Sequence, residues 1–346
     1  MSDEQGSSRR IVADSLAGRA VGRVATGPLA VHWCAKRLGI SLRDYTLDPR
    51  CMAKCVVRYW EDFRPDAIWI SADTWVTAGA MGAAVAFPGE GQPMCGTGRP
   101  LVSCATDISR IAAPHAEKQG RFPIMLEALE RIKRGVGKDA FVVACFDQYP
   151  FSLACALMGI ENAMTAASHD RRSLESLMDR CAEYAIEYAG ALAERGVDML
   201  SGGDSPAGLL GPRLYREVAL PYEQCVIAAL KSRTKLPVSL HICGNTMPIL
   251  ADMARSGADV LEPDHQVDLG EACRIVGPTA IWGNLDPVAV LARGTPDRVK
   301  SAARSAIAAI RAAGHRRFVL SSGCTLAMET PDENVRAMLK AARERD

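Results

Sequence analysis

The stretch GVDMLSGGDSPAGLLGP (residues 196–212) and, one helix further on, KLPVSLHICGN (residues 235–245) decide the fold. Each is a short apolar run that halts at Gly, Asp or Cys and gives way to an amphipathic segment of helical length. Val197–Leu200 reads as a strand, Pro212–Ser232 as a helix with Pro near its start, and Pro237–Leu240 as the next strand. The alternation continues in both directions. Upstream, the strand Ala140–Phe146 precedes the helix Ser173–Arg195. Downstream, strands at Val260–Glu262, Ala280–Trp282 and Phe318–Ser321 are interleaved with helices at Thr246–Ser256, Asp268–Val276, Thr295–Ala313 and Pro331–Arg343. Such a rhythm with short connections implies a parallel sheet with helices outside it. Six strands after residue 140, together with Ala67–Ser71, leave one more to find upstream. Eight would close an α/β (β/α)8 barrel of the TIM type, here distorted; an open doubly wound sheet is the alternative.

Away from this rhythm the chain is less regular. Residues 1–10 read as a disordered tail, and 11–346 as a single barrel domain whose segment 11–60 is a helical N-terminal elaboration. The Gly- and Pro-rich run Pro88–Pro100 reads as an excursion across one end. A length of 346 residues suits one barrel as well as the two domains that simple division suggests. With 48% hydrophobic and 23% charged residues, the chain is not disordered. Lys+Arg 41 against Asp+Glu 40 and 5% aromatics leave no nucleic-acid footprint. The most apolar window, Phe141–Ile160, is broken by Asp147, Gln148 and Pro150, so no membrane span is expected. The 12 cysteines follow a polar start with no signal-peptide core, which places the protein in a reducing cytoplasm. There thiols are core filler, metal ligands or nucleophiles.

In parallel α/β folds, chemistry gathers at the carboxyl ends of the strands. Those positions hold Asp73, Asp147, Asp204, His241, Cys243, Glu262, Asp264, Asn284, Asp286 and Cys324, with His265 behind them. Polar turn formers are common in loops, so a carboxylate at any one of these ends is as readily structural as functional. His241-Ile242-Cys243 is more informative. Residues i and i+2 of an extended segment face the same side, so imidazole and thiol converge on one point, and Gly244 lets the chain turn away. These are zinc's preferred ligands, and a catalytic zinc takes three from the protein while leaving one position open. Cys324, ending the last strand, supplies the third. The remaining thiols, including Cys51-x3-Cys55, read as background. Gly96-Thr-Gly98 and Gly202-Gly203 lack the context of nucleotide-binding loops.

The runs Leu240-His-Ile-Cys-Gly-Asn245, Gly257-Ala-Asp-Val-Leu-Glu262, Gly283-Asn-Leu-Asp-Pro287 and Leu320-Ser-Ser-Gly-Cys324 resemble the uroporphyrinogen decarboxylase superfamily. The resemblance is loose before residue 140 and close after about 196, and it implies a distorted (β/α)8 barrel. It also sorts the chain between two branches. In the decarboxylases an Arg-rich N-terminal segment, absent here, grips the porphyrinogen carboxylates. Asp73 falls at their pyrrole-binding Asp, but their functional Tyr aligns near Ala156 and their late His with Cys324. The zinc-dependent corrinoid methyltransferases carry His-x-Cys-Gly plus a later Cys, which maps onto His241, Cys243 and Cys324. For this chain the resemblance implies methyl transfer between a corrinoid and a small thiol, folate or O-/N-methyl substrate. It implies Zn2+ as cofactor and a corrinoid held by a transient partner protein. Asp204 and Glu262 are then candidates for substrate orientation or proton handling, and Asp73, Asp147 and Asn284 for substrate binding. A cofactor-free tetrapyrrole decarboxylase is the alternative.

Overall fold

Each apolar run that stops at a polar or glycine residue forms a strand, and each 3.6-periodic segment packs outside it as a helix. The computed structural model describes residues 7–88, 91–96 and 98–344. Eight parallel strands make one sheet: β1 Ala25–Thr26, β2 Ala67–Ile70, β3 Phe141–Gln148, β4 Met199–Gly203, β5 Val238–Ile242, β6 Val260–Pro263, β7 Ala280–Leu285 and β8 Phe318–Ser322. They lie side by side in chain order from β2 to β8, and β1 then pairs with β8, Ala25 opposite Val319. The two ends of this row meet through a side chain. Thr26 donates from its backbone N (3.0 Å) and Oγ1 (2.8 Å) to Oδ2 of Asp66, the residue before β2. The fold is a (β/α)8 barrel.

The barrel is filled by side chains from alternate strand positions. Ala25, Ala67, Phe141, Val143, Met199, Val260, Ala280, Trp282 and Val319 form one buried cluster, closed from below by Val12 of the helix Ser8–Leu16. The opposite strand faces pack on the helical shell, a second and larger core. Helix starts follow the capping signals in the sequence. Asp48, Asp170 and Thr295 accept from backbone N–H groups of Arg50, Ser173 and Arg298, opening Pro49–Phe63, Arg171–Glu194 and Pro296–Ala312. Among the described residues no helix is long and apolar enough to cross a membrane.

Several expectations change in detail. The missing strand is the two-residue Ala25–Thr26, inside the segment read as helical elaboration. The helix Ser8–Leu16 begins within the span read as a tail, whose residues 1–6 lie outside the described residues. The helix expected at Pro212–Ser232 is interrupted by a wide π-turn at Tyr215–Ala219 before Leu220–Thr234. Pro221 offers no N–H, so the ladder opens there. Thr246–Ser256 is likewise broken, into short turns around Leu250–Met253, and ends at Gly257 with φ +87°. The excursion begins as an antiparallel pair, Val85–Ala86 with Met94–Cys95. Strands run past their expected ends at Gln148, Gly203, Ile242 and Leu285, which puts Asp147, His241 and Asn284 on the sheet itself.

Candidate metal centre

Strand β5 is buried on both sides, and its alternation sends Ser239 and His241 inward, with Cys243 following just past its end. Gly244, at φ +85°, then bends the chain away. The third thiol arrives from β8. Gly323 donates to Leu285 O at 2.7 Å, and a Cβ at 323 would lie 2.6 Å from His265 N, so only glycine lets this turn pass close enough to deliver Cys324. His241 Nε2 lies 3.0 Å from Cys243 Sγ, and the two sulfurs are 3.9 Å apart. All three ligand atoms fall within 4.8 Å of one another, the one such group of three among the described residues.

The geometry suits a tetrahedral metal. Two thiolates at zinc's usual bond length of about 2.3 Å sit roughly 3.8 Å apart, close to the sulfur separation seen. The imidazole is preset as well. His241 Nδ1 is 2.8 Å from Glu262 O, and a carbonyl only accepts, so Nδ1 carries a proton and Nε2 is the ring atom that faces the sulfurs, the one left to bind a metal. The loop after β4 steadies the same corner. Asp204 N donates to His241 O at 2.8 Å, and Cys243 N donates to Ser205 Oγ at 3.4 Å. The cluster's charges are strongly linked. A hydrogen bond from Cys324, opposed by burial and aided by His241, pushes Cys243 down to about 4. The same contact and burial push Cys324 up to about 12. Burial opposes a charged His241, but its bonds to both sulfurs hold it well above the ordinary imidazole range. The cluster therefore pairs a Cys243 thiolate, the form a metal needs, with a charged His241, while Cys324 keeps its proton until a metal displaces it.

Glu262 sits beside this cluster in the barrel interior. Its Oε1 accepts from Ser201 Oγ at 2.8 Å and from Ser239 Oγ, whereas Oε2 is buried with no partner. Burial raises its pKa, and the nearby His241 charge opposes that rise.

The other strand-end residues have settled tasks. Asp204 is fully buried and turned away from the mouth; its Oδ1 accepts from Ser152 N (2.8 Å) and Ser152 Oγ (2.6 Å) at the start of the helix Pro150–Met158. It also hydrogen-bonds the carboxyl of Glu223, which Tyr215 Oη reaches at 2.6 Å, and burial raises both acids. A proton must lie between two such carboxyls. Asp73 is held by Arg121, whose Nη2 donates at 2.9 Å alongside a second contact from Nη1, and it accepts from Trp75 N at 2.8 Å. Asp147 Oδ2 accepts from Thr77 N (2.7 Å) and Oγ1 (3.0 Å), and burial, then the charge of Asp73, pushes its pKa up to about 7. Asn284 Nδ2 donates to Asp264 O (2.9 Å) and Val267 O (2.8 Å), bracing the loop after β6. His265 bridges Asp264 at 2.8 Å and Asp286 at 3.5 Å. Asp286 in turn caps the turn at Pro287 through Val288 N and Ala289 N. Sequence reasoning missed Arg121, Glu223, Ser201 and Ser239. The first two come from helices with no motif around them, and the serines are inconspicuous without strand register.

Comparison with known proteins agrees with this architecture. Residues 10–345 match the model of the uroporphyrinogen decarboxylase (URO-D) family. The chain is 35% identical to the methylcobamide:CoM methyltransferase MtbA of Methanosarcina mazei over 229 residues, 65% of this chain and 64% of that protein. It is 28% identical to the methylcobamide:CoM methyltransferase MtaA of Methanosarcina barkeri over 312 residues, 89% of this chain and 88% of the other. A solved structure of a methyltransferase from Methanosarcina mazei superposes with a TM-score of 0.87 at 26% identity, covering 97% of this chain and 98% of that one. The match to MtbA thus spans just under two thirds of that relative's length.

Proposed function

The chain belongs to the uroporphyrinogen decarboxylase family, and from that premise we propose that it is a zinc-dependent methyltransferase exchanging a methyl group with a corrinoid protein. The observation that carries this reading is the convergence of His241, Cys243 and Cys324 at one point of the barrel mouth. Their two sulfurs and one nitrogen are a catalytic zinc set with a position to spare. When bound, zinc supplies Lewis acidity, lowering the pKa of a thiol or polarising the heteroatom that carries a methyl group.

The protein's own residues set the conditions for that chemistry. The bond from His241 Nδ1 to Glu262 O fixes the tautomer and the ring plane. Ser201 and Ser239 pin one oxygen of Glu262 and leave the other free beside the cluster, available to a ligand or a proton. Asp204, by contrast, works as a positioning residue, since its backbone N ties β5 to the loop while its carboxyl caps a neighbouring helix. The methyl donor or acceptor is a small thiol, a folate or an O-/N-methyl compound, and the corrinoid arrives on a transient partner. The decarboxylase alternative gains no support from Asp73, whose carboxyl is spent on Arg121 and Trp75.

Metal analysis tests the reading directly. Purified protein should hold about one zinc per chain, and His241→Ala or Cys324→Ala should lower zinc affinity by more than about a hundredfold, beyond what loss of an outer-shell contact costs. Methylcobalamin demethylation with a panel of thiols and folate should fall in step. Zinc absent from the wild type, or unchanged in both variants, would sink it.

A further inference from the structure

Strand β3 carries one residue more than its neighbour needs. Cys145 pairs with Ser201 of β4 and Gln148 with Gly203, so three steps on β3 match two on β4. The surplus is taken up at Asp147, whose φ of +68° is left-handed. The two bonds from Thr77 to its Oδ2 hold it there. Side chains alternate along a strand, so without this bulge Gln148 would face the helical shell, as Phe146 does. With it, Gln148 joins Gly203, His241 and Glu262 in a single register row across β3 to β6.

The protein makes no use of the amide thus aimed inward. Gln148 Oε1 is buried and has no hydrogen-bond partner. Between it and His241 the row holds only the hydrogen of Gly203. A Cβ built there would meet just the carbonyl oxygens of Asp147 and His241, at 3.6 and 3.7 Å, ordinary contact distances, and no side chain, so the row is unfilled by side chains at this point. Gly202, on the other face, is different: its Cβ would come within 2.3 Å of Phe146. Packing requires glycine at 202 but not at 203.

We propose that Gln148 is a specificity-determining residue: aimed by the Asp147 bulge across the Gly203 gap, its amide hydrogen-bonds a substrate edge that presents an N–H donor beside an acceptor, as the lactam edge of a reduced pterin does. The inference rests on the methyltransferase reading and names the substrate class for that same site. A primary amide offers one acceptor oxygen and one donor nitrogen side by side, so only a donor–acceptor edge satisfies both. A thiol sulfonate offers acceptors alone and leaves Oε1 unpaired. Arg121, the cation bonded into this end of β2 and β3, is committed to Asp73 and does not compensate.

The test is calorimetric titration of the zinc-loaded full chain with tetrahydrofolate and, separately, with 2-mercaptoethanesulfonate, repeated after chelation. Tetrahydrofolate should bind the wild type, and Gln148→Leu should weaken it about ten- to a hundredfold, the effect of stranding a buried polar partner. Gly203→Ala, which places a methyl in the gap without backbone strain, should weaken it as well and stands in should Gln148→Leu misfold. The sulfonate should show the same affinity, or the same lack of binding, in all three proteins. No tetrahydrofolate binding to the wild type, unchanged binding in the folded variants, or a loss confined to the sulfonate would overturn the proposal. Because the amide contact does not pass through the metal, the chelated titration reads it even if zinc proves absent, so the two readings fail separately.

Discussion

Buried carboxylates occupy both ends of this barrel, and the two ends treat them in opposite ways. At the amino end, Asp66 accepts from Ser8 Oγ (2.7 Å), Arg23 Nη1 (2.7 Å) and Nη2 (2.5 Å), and Thr26 N and Oγ1. Burial alone would raise its pKa, but the bonds and charge of Arg23 hold it below the ordinary value. At the carboxyl end, Asp147 and Glu262 each keep one oxygen buried without a hydrogen-bond partner, and Asp204 shares a proton with Glu223. Burial drives all three upward. One end spends its charges on closing the fold, and the other leaves polar atoms unmatched where the metal ligands converge. Such local mismatch costs stability and marks the place where a barrel does its chemistry.

The largest effect that would break this contrast is at the amino end. Asp66→Ala strands the Arg23 guanidinium, whose side chain is only 19% exposed, and should cost about 3–5 kcal/mol in urea unfolding. Zinc content of the folded protein should not change. A variant that kept its stability but lost metal would show that the two ends are not separate in role.

A second prediction uses pH. Asp147 binds its proton more tightly folded than unfolded, so its contribution turns against the fold as pH rises from the ordinary carboxyl value of about 3.9 toward about 7. Asp147→Asn keeps an acceptor for Thr77 and removes that penalty. It should stabilise the protein by about 1–4 kcal/mol at pH 8 and by little at pH 4, measured by thermal melting. Asp66 runs the other way: its stabilisation is present above the ordinary carboxyl range and is lost as pH falls through its lowered value. Equal melting shifts at both pH values would remove the distinction between the ends.

The smallest effect sharpens it. Ser201→Ala removes one donor from Glu262 Oε1 while Ser239 keeps the other. Stability should fall by about 1 kcal/mol and zinc affinity by less than about tenfold.

Much of this architecture is legible in the amino-acid sequence. Strands β3 to β8 announce themselves because a parallel strand buried on both faces must be mostly apolar, and each such short run is bounded by turn residues. His241 and Cys243 could be placed on one side of one strand because the period of an extended chain is two, and Cys324 followed from the same rule of strand ends. Strand β1 was hidden because two residues carry no periodicity. Asp204 and Asn284 looked like site residues because the sequence shows what stands at a strand end but not which way it turns. The Glu223 carboxyl and the carbonyls of Asp264 and Val267 decide that, and they are set by tertiary packing. Gln148 could not be read at all, since a single bulge reverses the face of the residue after it.

The pairing of β1 with β8 also governs the order in which this molecule can assemble. Ala25 and Thr26 wait for Val319 and Leu320, and Trp282 Nε1 donates to Gly27 O at 2.8 Å. Nearly the whole chain must be in place before the first strand has a neighbour to lie against. Closing so long a loop is entropically unfavourable and pushes the step late. Cys324 lies just beyond β8, so the strand against which the hoop closes is also the strand that carries the third ligand to His241 and Cys243.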